Sequence, residues 1–94
     1  MTARATVEVC NQRGLHARAS ARFCEAAGTF ESAVTVRKKG CKGDRSADAT
    51  SLMDLLMLGA ARGTEIVIEA SGPDEDQALA VLKALAEGGF GEGC

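Results

Sequence analysis

Apolar and polar residues alternate at the start of the chain, with Ala5, Val7 and Val9 interleaved with Arg4, Thr6 and Glu8. A period of two predicts a half-buried strand, because successive strand side chains point to opposite faces. Asn11 to Leu15 shows no period and reads as a loop. From about Ala17 to Ala27 the period lengthens to that of a helix. Ala19, Phe23, Ala26 and Ala27 form the inward stripe, and Arg18, Arg22 and Glu25 the polar one. Gly28 follows as a left-handed C′ stop.

Phe30 to Lys38 predicts a second strand with Val34 and Val36 facing in. Lys39-Gly40 is a turn signal, and Cys41 to Ser46 reads as a short polar third strand. Asp48-Ala49-Thr50 leads into a short helix, Ser51 to Leu58, ended by Gly59. A fourth strand, Thr64 to Ala70, turns Ile66 and Ile68 inward. A last helix begins near Pro73, which suits a first helical position, and Asp74, Glu75 and Asp76 complement its dipole. Ala78, Leu79, Leu82, Leu85 and Ala86 mark its core face. The order β-α-β-β-α-β-α predicts an α+β open-faced sandwich, a four-stranded antiparallel sheet covered by three helices.

The 94 residues suffice for one domain, 1–94, in which about 89–94 is expected to be a loose tail. An apolar share of 46% supports a packed core rather than disorder. No apolar run approaches the roughly 20 residues of a membrane span, and no signal-peptide pattern opens the sequence. A cytoplasmic monomer is the expectation. The four cysteines, Cys10, Cys24, Cys41 and Cys94, are irregularly spaced and no two form a C-x-x-C. Cys10 and Cys24 read as small apolar fillers, Cys41 and Cys94 as exposed thiols. The cysteines do not cluster and there is one histidine, so no metal site is expected, nor any cofactor.

Charge changes the picture more. The net charge is −2, but residues 1–47 carry +5 and residues 48–94 carry −7. The lone histidine, His16, lies in the basic half. A positive field there favours an anionic group and steers acidic partner proteins. Nucleic acid is not an expected partner, since the chain has no Tyr or Trp to stack on bases.

His16 also stands where the first loop meets the first helix. A helix start leaves backbone N–H groups without intrahelical acceptors, and the macrodipole adds positive charge. The N–H groups of Ala17 and Arg18 can therefore cradle a phosphate, and the Arg18 side chain adds a permanent cation. Ala17, Ala19 and Ser20 leave room around the ring. No Asp or Glu lies between Glu8 and Glu25, so no neighbouring carboxylate is available to turn the ring into a general base. The pattern favours nucleophilic acceptance of a phosphoryl group over hydrolysis.

The run Gly14-Leu15-His16-Ala17-Arg18-Ala19-Ser20 closely resembles the phosphohistidine motif of HPr, the small phosphocarrier of the bacterial phosphotransferase system. The family pattern is Gly-Leu-His-(Ala/Thr)-Arg-Pro-(Ala/Ser), and Ala19 in place of proline is the one departure. Thr50 to Gly59 resembles the regulatory-serine segment of the family, and Thr64 to Leu85 its last strand and helix. The resemblance implies that His16 accepts the phosphoryl group at Nδ1 from enzyme I, itself charged from phosphoenolpyruvate. It further implies that Arg18 clamps the group and that a IIA protein or domain receives it. The chain would be a stoichiometric carrier rather than an enzyme. Ser51 would be the target of an HPr kinase/phosphorylase, although Asp54 stands where the family often has glycine. Ala21 with Leu52, Met53 and Leu56 would form the exposed patch that docks enzyme I and IIA partners. The alternative is an HPr-like regulatory binding module acting through the Ser51 surface. A purely regulatory module would have no need of His16 paired with Arg18.

Overall fold

The computed structural model describes residues 2–40 and 46–94. Its elements are β1 (Ala3–Glu8), α1 (Ala17–Ala27), β2 (Ala33–Lys38), β3 (Ala47–Asp48), α2 (Leu52–Leu58), β4 (Glu65–Ser71) and α3 (Glu75–Glu87). The four strands form one sheet in the order β1-β4-β2-β3, and every neighbouring pair is antiparallel. β4 is central, pairing Ile68 with Ala5 on one side and with Val36 on the other. Three helices and a four-stranded antiparallel sheet are the expected α+β sandwich.

Alternation along the strands sorts the residues as the sequence implies. Val7, Val34, Val36, Ile66 and Ile68 are buried against the helices. The open face carries charge: Glu69 of β4 accepts hydrogen bonds from Arg4 at 3.4 Å and from Arg37 at 3.2 Å. From α1, Ala19, Phe23 and Ala27 enter the core, and from α3, Ala78, Leu82 and Ala86. Each fully buried Leu, Ile or Phe contributes about 1.5–3 kcal/mol by burial. Gly59 ends α2 in the left-handed conformation, and Ser51 opens it, its hydroxyl accepting the Asp54 N–H at 3.3 Å.

Several expectations are corrected. Gly28 closes α1 in a right-handed conformation, its N–H bonding the carbonyl of Cys24. β2 begins at Ala33 rather than Phe30, and the cause is Asp74. That carboxylate accepts the N–H groups of Glu31 and Ser32 and the Ser32 hydroxyl, holding the segment before the strand in a turn. These bonds, the Ser32 hydroxyl first, hold the Asp74 carboxyl below its ordinary range. Asp74 is thus the N-cap residue of α3 without capping it by its own side chain. The third strand is Ala47–Asp48. Most of the expected strand, residues 41–45, lies outside the described residues, and Ser46 is not in the strand.

The expected loose tail is tied down at both ends, by Phe90 and by Cys94, while residues 91–94 stay exposed. Phe90 is fully buried in the core, and its N–H bonds the Leu85 carbonyl. The physical reason is apolar area, since a phenylalanine just past α3 falls over the helix-covered face. Cys10 and Cys94 are joined in a disulfide with Cα atoms 5.0 Å apart, so neither is the filler or free thiol expected from their spacing. Cys24 is free and packs against the core, as expected of it. Cys41 lies outside the described residues.

Candidate functional site: a histidine at a helix start

The loop that delivers His16 is fixed by close packing. Gly14 has φ +64°, and a Cβ there would overlap the carbonyl oxygen of Ala60. Glycine is required on both counts. The Leu15 N–H bonds that same Ala60 carbonyl at 2.9 Å, and Leu15 is buried. The Ser20 hydroxyl donates back to the Leu15 carbonyl at 3.1 Å. Asn11, fully buried, donates one amide hydrogen to the Gly14 carbonyl at 2.8 Å.

His16 is the N-cap residue of α1, with extended backbone and no side-chain cap bond. Its carbonyl accepts the Ser20 N–H at 2.9 Å, the first turn of the helix. The N–H groups of Ala17, Arg18 and Ala19 therefore precede the first acceptor the helix can offer. α1 has no acidic residue in its first turn to occupy them. Arg18 is exposed and forms no ion pair among the described residues.

The imidazole is not free of carboxylates, as the sequence around it suggested. Glu92, from the folded tail, lies with Oε2 at 2.5 Å from His16 Nε2. Its other oxygen, Oε1, accepts the second amide hydrogen of Asn11 at 2.9 Å. The Asn11 amide first, then the hydrogen bond and charge of His16 and the charge of Arg18, hold the Glu92 carboxyl below its usual range against the cost of desolvation. An ionised carboxylate only accepts, so Nε2 carries the shared hydrogen, and in the neutral ring the lone pair is on Nδ1. Around this pair a cleft of about 810 Å³ is walled by Arg13, Arg18, Arg22 and Arg62, with the Cys10–Cys94 link at its rim. A cleft with four guanidinium groups suits an anion of two or more charges.

His16, Ala17 and Arg18 thus stand together at one helix start, where the sequence put them. Ser51 opens a different helix, α2, which packs against α1. On α2, Leu52 is 40%, Met53 65% and Leu56 37% exposed, so the three apolar residues do reach the surface. Met57, at 66%, belongs with them and was missed, although its place four residues after Met53 on the same helix face could have signalled it. Ala21 is exposed on α1. Asn11, Glu92 and the arginines 13, 22 and 62 were also missed. Only Phe90 in an otherwise Gly-rich tail hinted that Glu92 would be brought back to the site. Among the described residues no group of His, Cys, Asp and Glu side chains could hold a metal ion.

Residues 3–88 match the family model described as the PTS HPr component phosphorylation site. The chain is 44% identical over 88 residues to the phosphocarrier protein HPr of Neisseria meningitidis, covering 94% of each. It is 40% identical over 92 residues to the phosphocarrier protein NPr of Escherichia coli, covering 98% of this chain and 99% of that one. The crystal structure of HPr from Thermoanaerobacter tengcongensis superposes with a TM-score of 0.87 at 35% identity, over 98% of this chain and 99% of that one. A histidine at a helix start, an arginine-walled cleft and these likenesses over nearly the full length converge on one conclusion: the chain belongs to the HPr family of phosphotransferase-system phosphocarriers.

Proposed function

We propose that His16 is the residue that carries the phosphoryl group, accepting it at Nδ1 from phospho-enzyme I and passing it to a IIA protein or domain. The observation that carries this reading is the place of His16 at a helix start with no acidic residue in its first turn, in a cleft walled by four arginines. Transfer between two such sites needs alignment and neutralised oxygens rather than covalent help from other side chains. The N–H groups of Ala17 and Arg18 and the Arg18 guanidinium meet the oxygens of the arriving group. Docking of both partners uses the apolar surface of Leu52, Met53 and Leu56 on α2 together with Ala21 on α1. Ser51, at the start of that helix, is the site through which an HPr kinase/phosphorylase regulates docking.

Incubation with phosphoenolpyruvate and enzyme I should add one acid-labile phosphate to the chain. His16→Ala should remove it, and labelling that persists in that variant overturns the reading. Addition of a IIA protein should discharge the label.

A further inference from the structure

Glu92 has no part in the reading above beyond touching the ring, and it lies past the residues that the family model matches. It is nevertheless held with care. Phe90 anchors the turn in the core. A Cβ at Gly91 would overlap the Arg22 guanidinium, so Arg22 lies directly against the backbone beside Glu92. The Glu92 N–H bonds the Gly89 carbonyl at 2.9 Å. Two residues on, Cys94 is tied to Cys10, the neighbour of Asn11. The carboxylate then spans two groups, with one oxygen on Asn11 and the other on His16.

We propose that Glu92 is a positioning residue for phosphoryl transfer, holding the hydrogen of the His16 ring on Nε2 throughout the cycle. The proposal rests on His16 being the carrier. In the loading step the Nδ1 lone pair forms the new N–P bond while the donor's bond to phosphorus breaks and its electron pair stays with the donor. The ring becomes a cation with its hydrogen still on Nε2, facing the Glu92 carboxylate. In the unloading step a lone pair of the acceptor forms the new bond to phosphorus while the N–P electron pair returns to Nδ1, and the ring leaves as a neutral imidazole. No proton moves in either direction. A ring protonated on Nδ1 is a dead state for this chemistry, because the atom that must attack has no lone pair. The carboxylate disfavours the neutral tautomer that carries its hydrogen on Nδ1 and opposes the ring charge in the loaded state.

The test compares wild type with Glu92→Ala and Glu92→Gln, each checked for its fold by circular dichroism. Single-turnover loading from phospho-enzyme I should slow about tenfold in Glu92→Ala, which deletes both acceptors. Glu92→Gln retains one carbonyl acceptor and should recover part of that loss. Dependence on phospho-enzyme I concentration should stay as in wild type, since the ring and not the partner is affected. The imidazole ¹⁵N spectrum of His16 supplies a readout that a merely structural tail would not move: its resonances should shift in Glu92→Ala toward the tautomer mixture of free histidine. Equal loading rates and unchanged ¹⁵N shifts in Glu92→Ala, with His16 labelled normally, overturn this proposal alone. A wild-type chain that takes no phosphate on His16 overturns the carrier reading and takes this one with it.

Discussion

Phe90 meets Phe23 edge to face, with ring centroids 5.9 Å apart and planes inclined at 69°. One ring comes from α1, about two turns past His16, and the other from the turn that carries Glu92. The pair welds the segment after α3 to the helix that presents the histidine. Both rings are buried, so the contact is dry and edge-to-face geometry adds to the area term.

Phe90→Ala should therefore destabilise the whole fold, by about 3–5 kcal/mol for a buried phenylalanine. In a domain of this size that lowers Tm by roughly 12–40 °C, measurable by calorimetry. The last residues should also lose hydrogen-exchange protection more than the strands do.

Arg18→Ala should slow phosphoryl transfer by about ten- to a hundredfold, roughly 1.4–2.8 kcal/mol of transition-state stabilisation. Stability should barely change, because the side chain is exposed and engages no ion-pair partner among the described residues. Rapid-quench loading assays beside thermal unfolding separate the two effects. Unaltered transfer would make Arg18 an ordinary solvated residue.

Ser51 offers a division between capping and regulation. Ser51→Ala loses the bond to the Asp54 N–H and should cost about 1 kcal/mol of stability. Ser51→Asp keeps a capping oxygen and should stay folded, yet bind enzyme I more weakly. Its charge sits beside Leu52, Met53 and Leu56 and must be desolvated when that apolar surface is covered. Calorimetric titration with enzyme I measures the difference, and equal affinity for both proteins leaves Ser51 as a cap alone.

Acid should unfold the protein through three carboxylates. Asp48, Asp74 and Glu92 are all held below the ordinary value of about 4 by the hydrogen bonds they accept, Asp48 first from the Thr50 hydroxyl. A depressed native value contributes stability that is fully present above the unfolded value and lost as pH falls through the native one. Urea unfolding should give nearly constant stability from pH 7 to about pH 5 and a decline below about pH 4. Asp74→Asn should flatten that decline, and an unchanged slope would remove Asp74 from the account.

What the sequence disclosed depends on distance along the chain. Val34, Val36, Ile66 and Ile68 announce their inward faces by period two, a local signal that the sheet repeats faithfully. His16, Ala17 and Arg18 are neighbours in sequence, so one helix start assembles them. Glu92 is 76 residues from His16 and Cys94 is 84 from Cys10, and no periodicity links either pair. Runs of glycine suggested mobility, whereas here they allow a tight turn around one buried aromatic ring. Asp74 misled in a related way. Its place at the start of α3 reads as a dipole residue, but its carboxylate serves the entrance to β2.

The central place of β4 also sets when the molecule can assemble. Both long strand pairings of the sheet, β1 with β4 and β2 with β4, require residues 65–71. A nascent chain that has not reached them can form only the two-residue ladder between β2 and β3 and its first two helices. The Ala3 to Ala70 pairing then closes the longest gap in the sheet late, and contacts so distant in sequence fold slowly. Until that moment Val34 and Val36 have no central strand beside them, so the growing protein depends on the last third of its message to hide its first half.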